Sequence, residues 1–287
     1  MADRSIWPRW LLLSIFGYLP GTISAQIPMG VTPGCDDGQT SLDVDWNGLS
    51  RDYWCTEGQW KTNASAPPVQ SCDPSPNQRT HYCMNDKIAY TDVPPTYGDH
   101  RPVWPVYGEY KYAPPQRWIH SLEHGAVVML YHPCANMVQV DKLRTLVRGC
   151  LRRHLITPYN KLPRSTPMAL LTWGCKLLMN VVDERVAVEF IKTHADRGPE
   201  KLFEDGVFSY NLIKRAAMIT DAGDSVICPS GTSGSNAALG QPSQFLPATS
   251  SASFPVTYRF LMSWTHVIAL SVSLIVFSVV VSPFGQD

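Results

Sequence analysis

Residues 118–134 read WIHSLEHGAVVMLYHPC and bring His120, Glu123, His124 and His132 into a short stretch of chain. Imidazoles and carboxylates gathered this closely form the donor set of a first-row transition metal, with zinc or copper the ions they suit best. A fourth histidine, His100, closes the segment PPTYGDH at 94–100. The candidate metal ligands are therefore His100, His120 and His124, with Glu123 as a further ligand or a support for one. Histidines at 81, 132, 154 and 194 are weaker candidates. The competing reading is a buried hydrogen-bond network, because buried histidines are usually satisfied by carbonyls or carboxylates.

His120–His124 also fits H-x-x-E-H, a metallopeptidase pattern. On a helix, both imidazoles would share a face and Glu123 could polarise a metal-bound water. Gly125 and the strand-forming Ala126-Val127-Val128 argue instead that the motif enters a strand. His120 and His124 would then lie about 13 Å apart at about 3.3 Å per residue, too far for one ion unless the backbone turns. Gly125 would suit a bulge or a close approach. The sequence leaves the choice open. No Gly-x-Ser-x-Gly, phosphate loop or activated cysteine is present, so other enzyme classes have little basis.

The elements that must position these groups come from periodicity. Ala126–Tyr131 is a short apolar, β-branched run, expected as a buried strand. Asn136–His154 carries Val140, Leu143, Leu146, Val147, Cys150 and Leu151 on one side, an expected amphipathic helix. Its basic residues Lys142, Arg144, Arg148, Arg152 and Arg153 read as a solvated face. Met168–Trp173 and Lys176–Val182 form an expected hairpin. Asp183 then caps a helix through His194, where an imidazolium would suit the helix dipole. The fold class is α+β: a single disulfide-bonded ectodomain with a small mixed sheet and two or three helices, plus one C-terminal transmembrane helix.

The chain is expected to divide into a signal peptide (1–25), a Cys/Trp-rich segment (26–87) and the α+β domain (88–228). A flexible stalk (229–255), a membrane-spanning helix (260–282) and a short tail (283–287) follow. Arg4 and Arg9, the apolar run from Trp10 and the small residues Ser24-Ala25 give the order of a secretory leader. The apolar run 260–282 is long enough to cross a bilayer, with His266 inside it. It lacks Lys or Arg after the span, and the small residues 248–253 also suit a glycolipid-anchor signal. The main domain is thus expected on the lumenal or extracellular side of a single-pass type I protein.

The chain's 24 basic and 24 acidic residues cancel, which argues against a nucleic-acid partner. A protein partner is expected, its identity open. Cysteines 35, 55, 72, 83, 134, 150, 175 and 228 are even in number in an oxidising setting, so disulfides are expected with no pairing assigned. Asn63 begins the one glycosylation acceptor triplet. Trp46, Trp54 and Trp60 are expected to cover the core.

The order PPTYGDH, GEY (108–110) and HSLEHG (120–125), followed by a strand, resembles a domain family of unknown function found in bacterial envelope proteins and animals. LTWGCKL (171–177) and EFIKTHADRGPE (189–200) resemble that family's later strand and last helix. The resemblance implies His100, His120, Glu123 and His124 as a shared polar set, with Tyr97 standing where many members carry Ser. LYHPCA (130–135), the eight cysteines and the C-terminal span further resemble p53-inducible animal membrane proteins, which would imply a growth-restraining, tumour-suppressing role.

Overall fold

The structure is a computed structural model that describes residues 27–76 and 79–230. The expected signal peptide, almost all of the stalk, the apolar span and the tail lie outside the described residues. Among those described, no helix is long and apolar enough to cross a membrane.

A seven-stranded mixed sheet forms the centre. Its strands are β1 (Val69–Cys72), β2 (Gly108–Tyr110), β3 (Val127–Tyr131), β4 (His154–Pro158), β5 (Met168–Thr172), β6 (Cys175–Met179) and β7 (Leu212–Arg215), in spatial order β1-β6-β5-β3-β4-β2-β7. β4 runs parallel to both β2 and β3, and the remaining pairs are antiparallel. Parallel neighbours need a crossover, and α2 (Met137–Cys150) supplies the one between β3 and β4.

The central strands read as unbroken apolar runs because both faces are covered. Val127 and Met129 pack beneath α2 and α3 (Glu184–His194), while Val128 and Leu130 pack beneath α1 (Pro115–Glu123). Asn136 caps α2 by accepting from the Val138 and Gln139 amides, and the Asp183 side chain accepts from Val186 N to start α3.

The expected helix 136–154 is corrected at its end. The helix stops at Cys150 and His154 opens β4. Asp224 draws the chain away by accepting from the amides of Arg152 and Arg153, and Cys150 is bonded to Cys228. The basic residues are not one solvated face either. Arg144 and Arg148 both bond Glu109, and the fully buried Arg153 is paired with Asp224 and Asp196.

All eight cysteines pair, as Cys35–Cys83, Cys55–Cys134, Cys72–Cys175 and Cys150–Cys228. Trp46 stacks on Tyr112 and Trp60 on His132, but Trp54 is 67% exposed and covers nothing in the core.

Candidate metal centre

The motif that was expected to enter a strand is helical. Pro115 occupies the first helical position, where its missing N–H costs no hydrogen bond, and Trp118, Ile119 and Leu122 bury against the sheet. Gly125 ends the helix in the left-handed region at φ 84. Its amide donates to Leu122 O (2.9 Å) and the Ala126 amide donates to Ser121 O (3.0 Å), the two bonds of a Schellman stop. The glycine also meets Asp196 closely: a Cβ there would lie 2.9 Å from Asp196 Cα. His120, Glu123 and the capping His124 therefore project from the last turn of α1, and the His120 and His124 ring centres are 4.6 Å apart.

Two more imidazoles reach this turn from earlier chain. His81 and His100 are partners in an isolated parallel bridge, with Tyr82 N donating to His100 O and His100 N to Thr80 O, each at 3.0 Å. Their ring centres lie 5.0 Å and 4.8 Å from that of His120. Donor atoms of His81, His100, His120 and Glu123 all fall within 4.8 Å of one another. The structure thus gathers the predicted His100, His120 and Glu123, adds His81, and leaves His124 beside that set.

Every one of these rings is oriented in the same way. Nδ1 of His81, His100, His120 and His124 faces the carbonyl oxygens of Ile27 (2.9 Å), Gly98 (2.8 Å), Arg101 (2.6 Å) and Glu200 (2.9 Å). A carbonyl only accepts, so each Nδ1 carries the proton, and in the neutral ring Nε2 presents a lone pair. Nε2 of His120 and His124 is buried and makes no hydrogen bond. The His100 Nε2 and Glu123 Oε2 atoms are 3.0 Å apart, within reach of one shared proton or cation. Two lone-pair atoms at that distance repel unless a cation or a proton lies between them.

Burial lowers the affinity of His81, His120 and His124 for a second proton, most strongly at His120. Burial pushes Glu123 the other way, but its hydrogen bond with His100 brings it below the usual carboxylate range. Neutral imidazoles beside an ionised carboxylate are the protonation states that bind metal. Half-exposed Arg79 stands at the margin, 3.8 Å from Glu123 and 3.7 Å from Glu200. Trp104 packs tilted against the ring of His120 (5.1 Å) and edge-on to that of His124 (5.0 Å).

The remaining histidines serve elsewhere. His132 accepts from the Cys134 amide, and His154 is buried with Nδ1 on Leu151 O, its pKa pushed down to about 4 by burial. His194 bonds Gln70. It also lies near Cys72 and Cys175, whose sulfurs are consumed by their disulfide.

Local spacing carries no sign of His81, which becomes a neighbour only through its bridge to His100. The Gly-Pro-Glu at 198–200 is a better clue. Gly198 packs where a Cβ would strike Glu123 O at 2.0 Å, and the Glu200 carbonyl then fixes His124.

No curated protein and no solved structure matches the chain, so neither comparison supports the likeness to p53-inducible membrane proteins. Residues 81–206, which hold all five of these donor side chains, match the family described as Protein of unknown function (DUF3105), and that stretch is a domain similar to it.

Proposed function

We propose that this domain binds one transition-metal ion, zinc or copper, through His81, His100 and His120 with Glu123 as the carboxylate ligand. One observation carries the reading: donor atoms of three imidazoles and one carboxylate, all buried, lie within 4.8 Å of one another, and the buried Nε2 atoms of His120 and the adjacent His124 have no hydrogen-bond partner. Leaving a buried acceptor unpaired costs about 1–3 kcal/mol, so two in one place make sense as a site built for a cation. The four Nδ1–carbonyl bonds supply the outer support that metal-bound histidines ordinarily have. The test is elemental analysis of the purified full-length chain and its His120→Ala variant. About one ion per wild-type chain, lost in the variant, is expected. No ion in either, after loading with zinc and with copper, refutes the reading and leaves a metal-free interaction module in which the histidines are structural.

A zinc hydrolase is the second reading, favoured by the helical motif and the arrival of His81. A catalytic zinc keeps one position open for water, whereas Glu123 already stands 3.0 Å from His100 among imidazoles that are almost entirely buried. The non-hydrolytic site is therefore preferred.

The setting belongs to the same proposal: a lumenal or extracellular domain tethered by a single span or a glycolipid anchor, with a protein partner. Complete pairing of the cysteines supports an oxidising compartment. Asn63 is exposed and open to glycosylation. A growth-restraining role rests on the sequence resemblance alone. Localisation of the tagged chain, with and without enzymatic deglycosylation, tests this part; a cytosolic, unglycosylated product would sink it.

A further inference from the structure

We infer that the bound ion is copper and that the centre passes single electrons to the protein surface through Trp104, a reading that rests on the metal site proposed above. The donor inventory is the first argument. His81, His100, His120 and Glu123 already supply four donors, yet His124 adds a fifth group whose Nε2 is buried and unpaired. Its ring is 4.6 Å from that of His120. Zinc in a closed site has no use for a fifth donor. Copper(II) takes tetragonal nitrogen and oxygen surroundings, and copper(I) is content with fewer imidazoles, so one spare imidazole lets the ion change oxidation state and stay bound.

Access is the second argument. His81 is 9% exposed, Glu123 2%, and His100, His120 and His124 are fully buried. A substrate of any size cannot meet the ion directly, but an electron can.

The third argument is the indole. Trp104 is tilted against the His120 ring at 5.1 Å and meets the His124 ring edge-on at 5.0 Å, while its own Nε1 donates to Glu204 O (3.4 Å) in exposed surroundings. Glu204 sits on the segment that also supplies Gly206, which packs directly on the Trp104 backbone and holds the ring in place. One conjugated ring thus reaches from the exposed side to two of the imidazoles, and because tunnelling falls steeply with distance, a ring that bridges part of the gap speeds the transfer. In the step itself, copper(II) takes one electron from an outer-sphere one-electron reductant and becomes copper(I). No bond to the reductant forms, and a one-electron oxidant reverses the step.

The experiment uses the full-length chain loaded with copper, reduced by hexaammineruthenium(II) in a stopped-flow instrument while the copper(II) signal is followed. Wild type should reduce and reoxidise repeatedly with its copper retained. Trp104→Leu should react several-fold more slowly at equal copper content. Trp104→Phe, which preserves the packing, should be slowed less and decides the matter if the leucine variant fails to load. Wild-type rates in the variants that load, copper expelled on reduction, or a chain that takes zinc but not copper would each overturn the inference while sparing the metal site. A chain that holds neither ion would sink both.

Discussion

Metal should act on this fold as a measurable stabiliser. An ion that binds only the folded chain adds about 2.7 kcal/mol when its free concentration is about a hundredfold above Kd. One kcal/mol moves Tm by about 2–4 °C for a domain of about 150–250 residues, so the loaded protein should melt about 5–11 °C above the chelated one. Scanning fluorimetry with the disulfides kept intact would read it. His120→Ala should abolish the rise. It should also lower the chelated protein's Tm by a few degrees, because Arg101 O loses the imidazole donor at 2.6 Å and is left unpaired, a cost of about 1–3 kcal/mol. His124→Ala should keep the greater part of the zinc-induced rise, since His124 lies beside the compact set. Identical melting of wild type with metal and with chelator would refute the reasoning.

Three further outcomes follow from the same geometry. His81, His120 and His124 are held below the ordinary imidazole value of 6.5, so the unfolded chain takes up protons first as pH falls. Their stabilisation is complete above that value and is lost below it; bound metal should be released over the same acid range, read by a metal-sensitive dye, and retention throughout would contradict this. Gly125→Ala should cost about 1–2 kcal/mol for the left-handed backbone alone, with the Asp196 contact adding to it, and denaturant melts should show the loss. Asp36→Ala should cost about 3–5 kcal/mol, because it strands the fully buried Arg117 guanidinium and also removes the acceptor of Val103 N and Gly38 N. An unchanged denaturation midpoint would disprove the importance of that pair.

Strands β3, β5 and β6 and helix α3 were legible because each is a local pattern: a β-branched run, a hairpin, a capped amphipathic stripe. Helix α1 was not, because the strand-forming Ala126-Val127-Val128 drew the motif into a strand, although Pro115 at one end and Gly125 at the other mark a helical start and stop. Strand β4 was concealed by the basic residues before it, which only Asp224, far along the chain, pulls out of the helix. Strands β1, β2 and β7, of three or four residues, owe their pairing to distant partners rather than to their own composition. At the site, His100, His120, His124 and Glu123 could be named from motif chemistry. His81 and the four backbone carbonyls that orient the rings are products of tertiary folding, and no sequence spacing encodes them.

X-ray absorption at the metal edge of the loaded, full-length chain tests the central claim most directly. The account predicts imidazole scattering from at least three histidines at about 2.0–2.1 Å with an oxygen donor and no sulfur, and loss of one imidazole in His81→Ala. A sulfur shell, a solvent-like oxygen shell without imidazole, or a spectrum unaltered by that substitution would contradict it.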